Sequence, residues 1–341
     1  KAKRIACVVS AVIFVATSCV SPLTGFAFWE TNLAYEGESI YNYLQVKNLS
    51  DRTILSTNVL FGVQSVTMKD KGLTGMYYDT ALAAPALADN ANSALILGMG
   101  TGTYARQLKQ YYPKMNITGV EIDQKITDLA GEYFDEPADI PVTTYDGRAW
   151  LAASHDKYDV IMVDAYQDIT IPFQMSSTEF FTMVREHLNP GGVMVVNMNM
   201  ISDGQGSINE ALSDTIASVF GNGNTLTADV PNTTNRELFA KKPGSGSEEN
   251  SMQQASKALN LRETTYERTG SEDLEWYMEE VASRFRKVNE PDSASTILTD
   301  DKAPVEVLGM HAIDQIIADE AGPYRQILKD EGFGGLLRAV Q

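Results

Sequence analysis

Apolar residues in the middle of the chain fall into short unbroken runs separated by polar stretches of helical length. The runs SALILGM, ITGVEI, YDVIMVDA and VMVVNM read as strands. A short continuous apolar run bounded by turn residues suits a strand covered on both faces. PVTTY is a shorter strand between the second and third of them. YARQLKQYY, KITDLAGEYF and TEFFTMVREHL predict the intervening helices, and Asn189-Pro190-Gly191-Gly192 predicts a turn. A further helix near Ile208 to Phe220 precedes two strand segments, NTLTADVP and ELFAKKP. Strand–helix alternation of this kind implies an α/β, doubly wound, mostly parallel sheet, and the last two strands suit an antiparallel edge.

The flanks have other patterns. Lys1, Lys3 and Arg4 precede residues 5–28, which carry no charge. This segment reads as a membrane helix or as a secretory signal peptide. The Tyr-, Ile- and Val-rich runs SIYNYLQVKN and TILSTNVLFGVQSVTM, with a turn at Ser50 to Arg52, predict a small β region, followed by a helix over Tyr77 to Leu87. GSGSEEN reads as a linker, and the polar remainder as helical. The expected organisation is residues 1–29 as the hydrophobic segment, 30–79 as the β region, 80–243 as the α/β domain and 244–341 as linker and helical C-terminal extension.

Composition narrows the function. The 341 residues are 43% hydrophobic and 21% charged, enough for a sizeable core, with a formal net charge of −18. That charge argues against a nucleic-acid partner, because no basic stripe is there to neutralise phosphates. The only cysteines, Cys7 and Cys19, precede the globular part, which excludes a disulfide framework or a cysteine metal site there. His155, His187 and His311 lie far apart, with no metal-ligand spacing, and no metal is expected.

The candidate chemistry sits at the strand ends. SALILGM runs into Gly98, Gly100 and Gly102 and a helix opens just after, so the backbone can approach a ligand closely and present free N–H groups. Such a loop alone is a weak signal. Glu121 ends the next strand, about twenty residues on, where an acid accepts hydrogen bonds from both ribose hydroxyls of a nucleoside. Asp146 and Gly147 follow the third strand, where an acid meets an adenine amino group, and Asp164 ends the fourth. Ligands of open α/β sheets bind outside the carboxyl ends of the strands, so these positions together form a nucleoside site. A nicotinamide dinucleotide competes for this reading. The absence of basic residues beside the glycines favours a sulfonium nucleoside without phosphates.

The order GMGTGT, VEID, YDGRAWL, YDVIMVDAY and TEFFTMVREHLNPGGVMVVN resembles the spermidine synthases, the polyamine aminopropyltransferases. The resemblance runs from about Tyr35 to Leu308, and LTDDKAPVEVL resembles the C-terminal signature of a subgroup whose synthase-like domain follows membrane helices. It implies a seven-stranded, Rossmann-like sheet of the S-adenosylmethionine-dependent methyltransferase type. It also implies aminopropyl transfer from decarboxylated S-adenosylmethionine to a small amine such as putrescine. By this resemblance Asp164 is the catalytic acid. Gln64, Gly98, Gly100, Thr101, Gly102, Glu121, Asp146 and Gly147 contact the nucleoside, and Tyr77, Tyr78, Asp79, Tyr166 and Asp168 line the amine.

The chain departs from the family in three places. Thr101 stands where the family has an Asp that holds the amino end of the transferred group. Asp168 lies four residues after Asp164 rather than three, and Tyr78 replaces His or Gln. Two other functions therefore stand beside aminopropyl transfer: methyl transfer from ordinary S-adenosylmethionine, and a non-catalytic nucleoside-binding domain of a membrane protein. A homodimer through the β region, membrane association through residues 5–28 and a cytoplasmic catalytic domain complete the expectations. Gly206, Asn232 and Glu237 receive no role.

Overall fold

The computed structural model describes residues 2–18, 27, 30–58, 62–135, 137, 139–166, 171–199, 206–244, 261–291, 295–312 and 329. The chain divides into two compact units, Lys1–Lys71 and Gly72–Gln341. Tyr77 and Tyr78 are buried in the core of the second unit.

The first unit begins with helix α1 (Ala2–Ser18). Among the described residues no helix is long and apolar enough to cross a membrane. The unit continues with strands β1 (Leu33–Glu38), β2 (Tyr43–Asn48), β3 (Arg52–Thr57) and β4 (Ser65–Met68), which form an antiparallel sheet in that order. Leu44, Val46, Leu55 and Val66 are among its buried apolar residues.

The second unit opens with two short helices, α2 (Tyr77–Ala81) and α3 (Ala83–Leu87), where the sequence predicts one. Pro85 explains the break. It has no N–H to give the carbonyl four residues back, at Ala81. The Tyr104 hydroxyl, itself buried, donates to that carbonyl instead at 3.0 Å.

Then follow β5 (Ser93–Leu97), α4 (Thr103–Tyr111), β6 (Asn116–Glu121), α5 (Gln124–Tyr133), β7 (Val142–Thr144), α6 (Gly147–Ala153), β8 (Tyr158–Val163), α7 (Thr178–His187), β9 (Leu188–Met198), α8 (Ile208–Phe220), β10 (Thr225–Asp229) and β11 (Arg236–Lys241). Helices α9 (Leu261–Thr269) and α10 (Glu272–Arg284) and the two-residue strand β12 (Arg286–Lys287) complete the named elements. Side-chain caps set several helix starts: Ser177, Ser207 and Ser271 accept from the backbone N–H of Phe180, Glu210 and Leu274.

The sheet order is β12-β10-β11-β9-β8-β5-β6-β7. β5 to β9 pair in parallel, while β11 runs antiparallel to β9 and to β10. The fold is thus the doubly wound sheet read from the sequence, with β12 added at one edge. The apolar strands feed two cores. Ile96, Val160, Met162, Val193 and Val195 face α3, α4 and α10. Leu95, Leu97, Ile161, Val163, Met194 and Val196 face α7 and α8, where Phe180 and Phe181 are fully buried. Each such aromatic contributes about 2–3 kcal/mol by burial.

Two expectations change here. Asn189-Pro190-Gly191-Gly192 is not a separate turn but lies within β9, at a register irregularity against β8. Gly191 has φ 76°, and a Cβ there would sit 2.1 Å from the Asp89 carboxylate. The positive φ that makes this segment resemble a turn therefore serves a bulge. The second change is at the C-terminal side. Leu274, Met278 and Val281 of α10 are fully buried in the core of the sheet, so this helix is part of the α/β unit and not an appendage.

Candidate active site

β5 is the switch point of the sheet, with β6 on one side and β8 on the other. The crevice that such a switch opens at the carboxyl ends is where ligands of this fold class bind. Gly98, Gly100 and Gly102 leave β5 with φ of 89°, 56° and 80°. A Cβ at Gly98 would meet the Asp164 carbonyl oxygen at 2.3 Å, so only glycine lets the β5 and β8 tips close on each other.

Glu121 ends β6 with its carboxylate turned to that loop. Oε2 accepts from Gly100 N–H at 2.8 Å and Oε1 from Asp123 N–H at 3.0 Å. Burial raises its pKa, against the pull of those donors. Each oxygen keeps a second lone pair for a ligand hydroxyl. Asp146 caps α6 by accepting from Ala149 N–H at 2.7 Å, and Gly147 begins that helix. Thr101 is fully buried in the loop, and its carbonyl accepts from Arg106.

Asp164 follows the last residue of β8. Its Oδ2 accepts from the Tyr77 hydroxyl at 2.7 Å and its Oδ1 from Asn197 Nδ2 at 3.0 Å. The residue keeps partial exposure, but the carboxyl lies between those two donors. Its burial pushes the pKa from 3.8 up to about 7, against the lowering effect of Asn197 and Tyr77, with the Glu121 charge adding to the rise. Such a group stands near half-ionised at neutral pH and can accept a proton from a reacting nitrogen. Asn197 is in turn oriented by Asn235, whose Nδ2 donates to its Oδ1 at 2.8 Å. The Tyr166 hydroxyl donates to the Asn197 carbonyl and accepts from Asn199 N–H at 3.0 Å.

The structure thus brings Gly98, Gly100, Thr101, Gly102, Glu121, Asp164, Tyr77 and Tyr166 to neighbouring strand tips. Tyr78 stacks on Tyr77 with ring centroids 4.0 Å apart. Asp79 is turned inward: it accepts from Thr74 N–H, the Thr74 hydroxyl, Gly75 N–H and Gln107, and so fixes the approach to α2. Gln64 lies in the first unit, its N–H bonded to Leu55 O at 2.8 Å. Asp168 lies outside the described residues.

Sequence reasoning missed Asn197 and Asn235, which hold Asp164. Asn197 carried a usable signal: a polar residue closing an apolar strand, as Asp164 does. It also missed the anchor of α6. Arg148 grips Asp300 with two hydrogen bonds of 2.7 and 2.6 Å and donates to Gln174 O at 2.7 Å, and Ser177 adds a further bond to Asp300.

Residues 76–242 match the family model described as the spermine/spermidine synthase domain. The polyamine aminopropyltransferase of Corynebacterium efficiens is 37% identical over 131 residues, which are 35% of this chain and 25% of that protein. The polyamine aminopropyltransferase of Vibrio vulnificus is 28% identical over 209 residues, 58% of this chain and 69% of that one. The chain therefore spans about a quarter of the first relative's length and about two thirds of the second's. A probable spermidine synthase from Corynebacterium glutamicum shares the fold, with a TM-score of 0.55 at 21% identity over 78% of this chain and 99% of that one.

Proposed function

We propose that the chain, whose residues 76–242 match the spermine/spermidine synthase domain model, transfers an aminopropyl group from decarboxylated S-adenosylmethionine to a small amine such as putrescine. The observation that carries this reading is the Asp164 carboxyl, clamped by Tyr77 and Asn197 at the β8 tip beside the glycine loop.

The reaction is an in-line displacement. The nitrogen of the neutral amine forms a bond to the carbon next to the sulfonium, the carbon–sulfur bond breaks, and the electron pair leaves on methylthioadenosine. The amine sheds one proton. A free alkylamine is protonated at neutral pH, with a pKa near that of lysine, about 10.4. Ionised Asp164 accepts the proton and points the lone pair at the carbon, while Asn197 and Tyr77 hold its two oxygens. A pKa of about 7 makes it a better proton acceptor than an ordinary aspartate. Glu121 receives the ribose hydroxyls, Asp146 faces the adenine, and the glycine loop lets the nucleoside lie against the β5 tip. Tyr78, Tyr166 and Asp168 belong to the amine contacts in this proposal, and Asp79 supports Tyr77.

Thr101 favours one second reading. Without the family's acid there, the donor's amino end loses a partner, which suits methyl transfer from ordinary S-adenosylmethionine. The test supplies the chain with each donor and an amine and identifies the nucleoside product. Methylthioadenosine is expected; S-adenosylhomocysteine would move the reaction to methyl transfer, and neither product would leave a binding domain. Attachment of residues 5–28 to a membrane and a homodimer through the β unit remain proposals, tested by flotation with vesicles and by light scattering.

A further inference from the structure

Glu237 is a fully buried acid that the proposed reaction does not use. It lies near the start of β11, and neither carboxylate oxygen has a hydrogen-bond partner among the described residues. A buried, unpartnered carboxyl costs free energy, which a partner supplied from outside the chain would offset.

The strand register shows what surrounds it. Val163 of β8 pairs with Val196 of β9, and Asn197 of β9 pairs with Glu237 of β11. Asp164, Asn197 and Glu237 therefore form one lateral row across three neighbouring strands, at the carboxyl ends of β8 and β9. Strand alternation puts Glu237 and Phe239 on the face that carries Val193 and Val195, under Tyr77 and Tyr104. Arg236 turns to the other face and pairs with Asp229 at 2.5 Å, so the neighbouring cation is committed elsewhere. Asp164 raises the Glu237 pKa further, beyond the effect of burial, and Glu237 in turn raises those of Tyr166 and Tyr104. The Asp164 charge thus acts on Glu237 across Asn197, whose side-chain amide donates to Asp164.

Two strand spacings separate the acids, about 9.6 Å between their backbones. We propose that Glu237 is the second anion of the acceptor site, receiving the distal ammonium of a short aliphatic diamine whose other nitrogen reacts at Asp164. The acceptor is then dicationic in solution. It enters with one nitrogen neutralised at Asp164 and the other paired at Glu237, and it lies across the β9 tip over Asn197. The ammonium supplies the missing partner of the buried carboxyl. A monoamine leaves that partner missing, so the site discriminates against it. This inference rests on the amine-acceptor reading.

The test measures binding to the full chain, in the presence of methylthioadenosine, of putrescine and of n-butylamine, which has the same length and one nitrogen. The Glu237→Gln variant keeps the shape and removes the charge. The unaltered chain is expected to bind putrescine at least about ten-fold more tightly than butylamine. In Glu237→Gln that preference vanishes, with putrescine weakened about ten-fold or more, a loss in the range for unpairing a buried charge. Butylamine and methylthioadenosine affinities stay within about two-fold, which a merely structural role would not spare. A diamine preference that survives in Glu237→Gln overturns the inference and leaves aminopropyl transfer standing. A Glu237-dependent preference without transfer of the aminopropyl group overturns the reaction and leaves the diamine site standing. Binding of neither amine overturns both.

Discussion

At the tips of β5 and β6 the polar groups answer one another without a ligand. Gly100 N–H and Asp123 N–H already occupy the Glu121 carboxylate, and the glycine loop is shaped by backbone alone. At the tips of β8, β9 and β11 the polar groups are side chains. Asp164 is held by Tyr77 and Asn197, and the Glu237 carboxylate has no hydrogen-bond partner among the described residues. The first region is a preformed seat, in which a ligand adds bonds to groups already placed. The second stores electrostatic strain, in which a cation completes what the fold leaves open. Under the proposed reaction, that difference puts binding on one side of the switch point and chemistry on the other.

The sharpest way to separate the two sides is Asp164→Asn. Loss of the proton acceptor should lower turnover by about 10²- to 10⁴-fold while methylthioadenosine affinity, measured by calorimetry, stays within about two-fold. Asp164 also carries a stability signature. Its folded pKa of about 7 exceeds its ordinary 3.8, so the folded state binds the proton more tightly. The stability it confers is present below the unfolded value and is lost as pH rises towards about 7. Asp164→Asn should therefore raise Tm at pH 8 and leave it unchanged near pH 4; a lower Tm at pH 8 would contradict the strain on this side.

Glu121→Gln tests the other side. Exchanging an acceptor-only carboxylate for an amide should weaken methylthioadenosine by about ten- to a hundred-fold, the scale of charged hydrogen bonds, with kcat at saturating nucleoside little changed. A fall in kcat without a fall in affinity would mean that the two sides are not separable. Asn197→Ala is smaller. It removes a bond that lowers the Asp164 pKa, so the rise of kcat with pH, centred near 7, should shift to higher pH. A profile that stays in place would remove Asn197 from the positioning of Asp164. Smallest is Arg148→Ala, which cuts the bidentate pair with Asp300. A partly exposed pair of this kind contributes about 1 kcal/mol, read as a modest drop in Tm with nucleoside affinity nearly intact.

Much of this was written in the chain as pattern. Parallel strands covered on both faces need unbroken apolar runs, so β5, β6, β8 and β9 are visible as SALIL, NITGVE, YDVIMV and the VMVVNM end of β9. The acids that close two of them, Glu121 and Asp164, stand out for the same reason. Local rules failed where a distant group decides. Tyr104 supplies the bond that makes the α2–α3 break tolerable, and Asp89 occupies the space that demands Gly191. Asn197, Asn235 and Glu237 gain their meaning from lateral register among β8, β9 and β11, and an antiparallel return such as β11 sets that register through pairing the linear order does not display.

The Arg148–Asp300 grip has a consequence in time. The two residues are 152 positions apart, and a chain made from its N-terminus presents Arg148 long before Asp300. During synthesis the helix carrying Asp146 and Gly147 must wait, with its guanidinium in water, until the late segment leaves the ribosome and closes over it. Nascent chains halted before Asp300 should already hold the β5–β6 nucleoside seat, yet leave α6 open to protease until release.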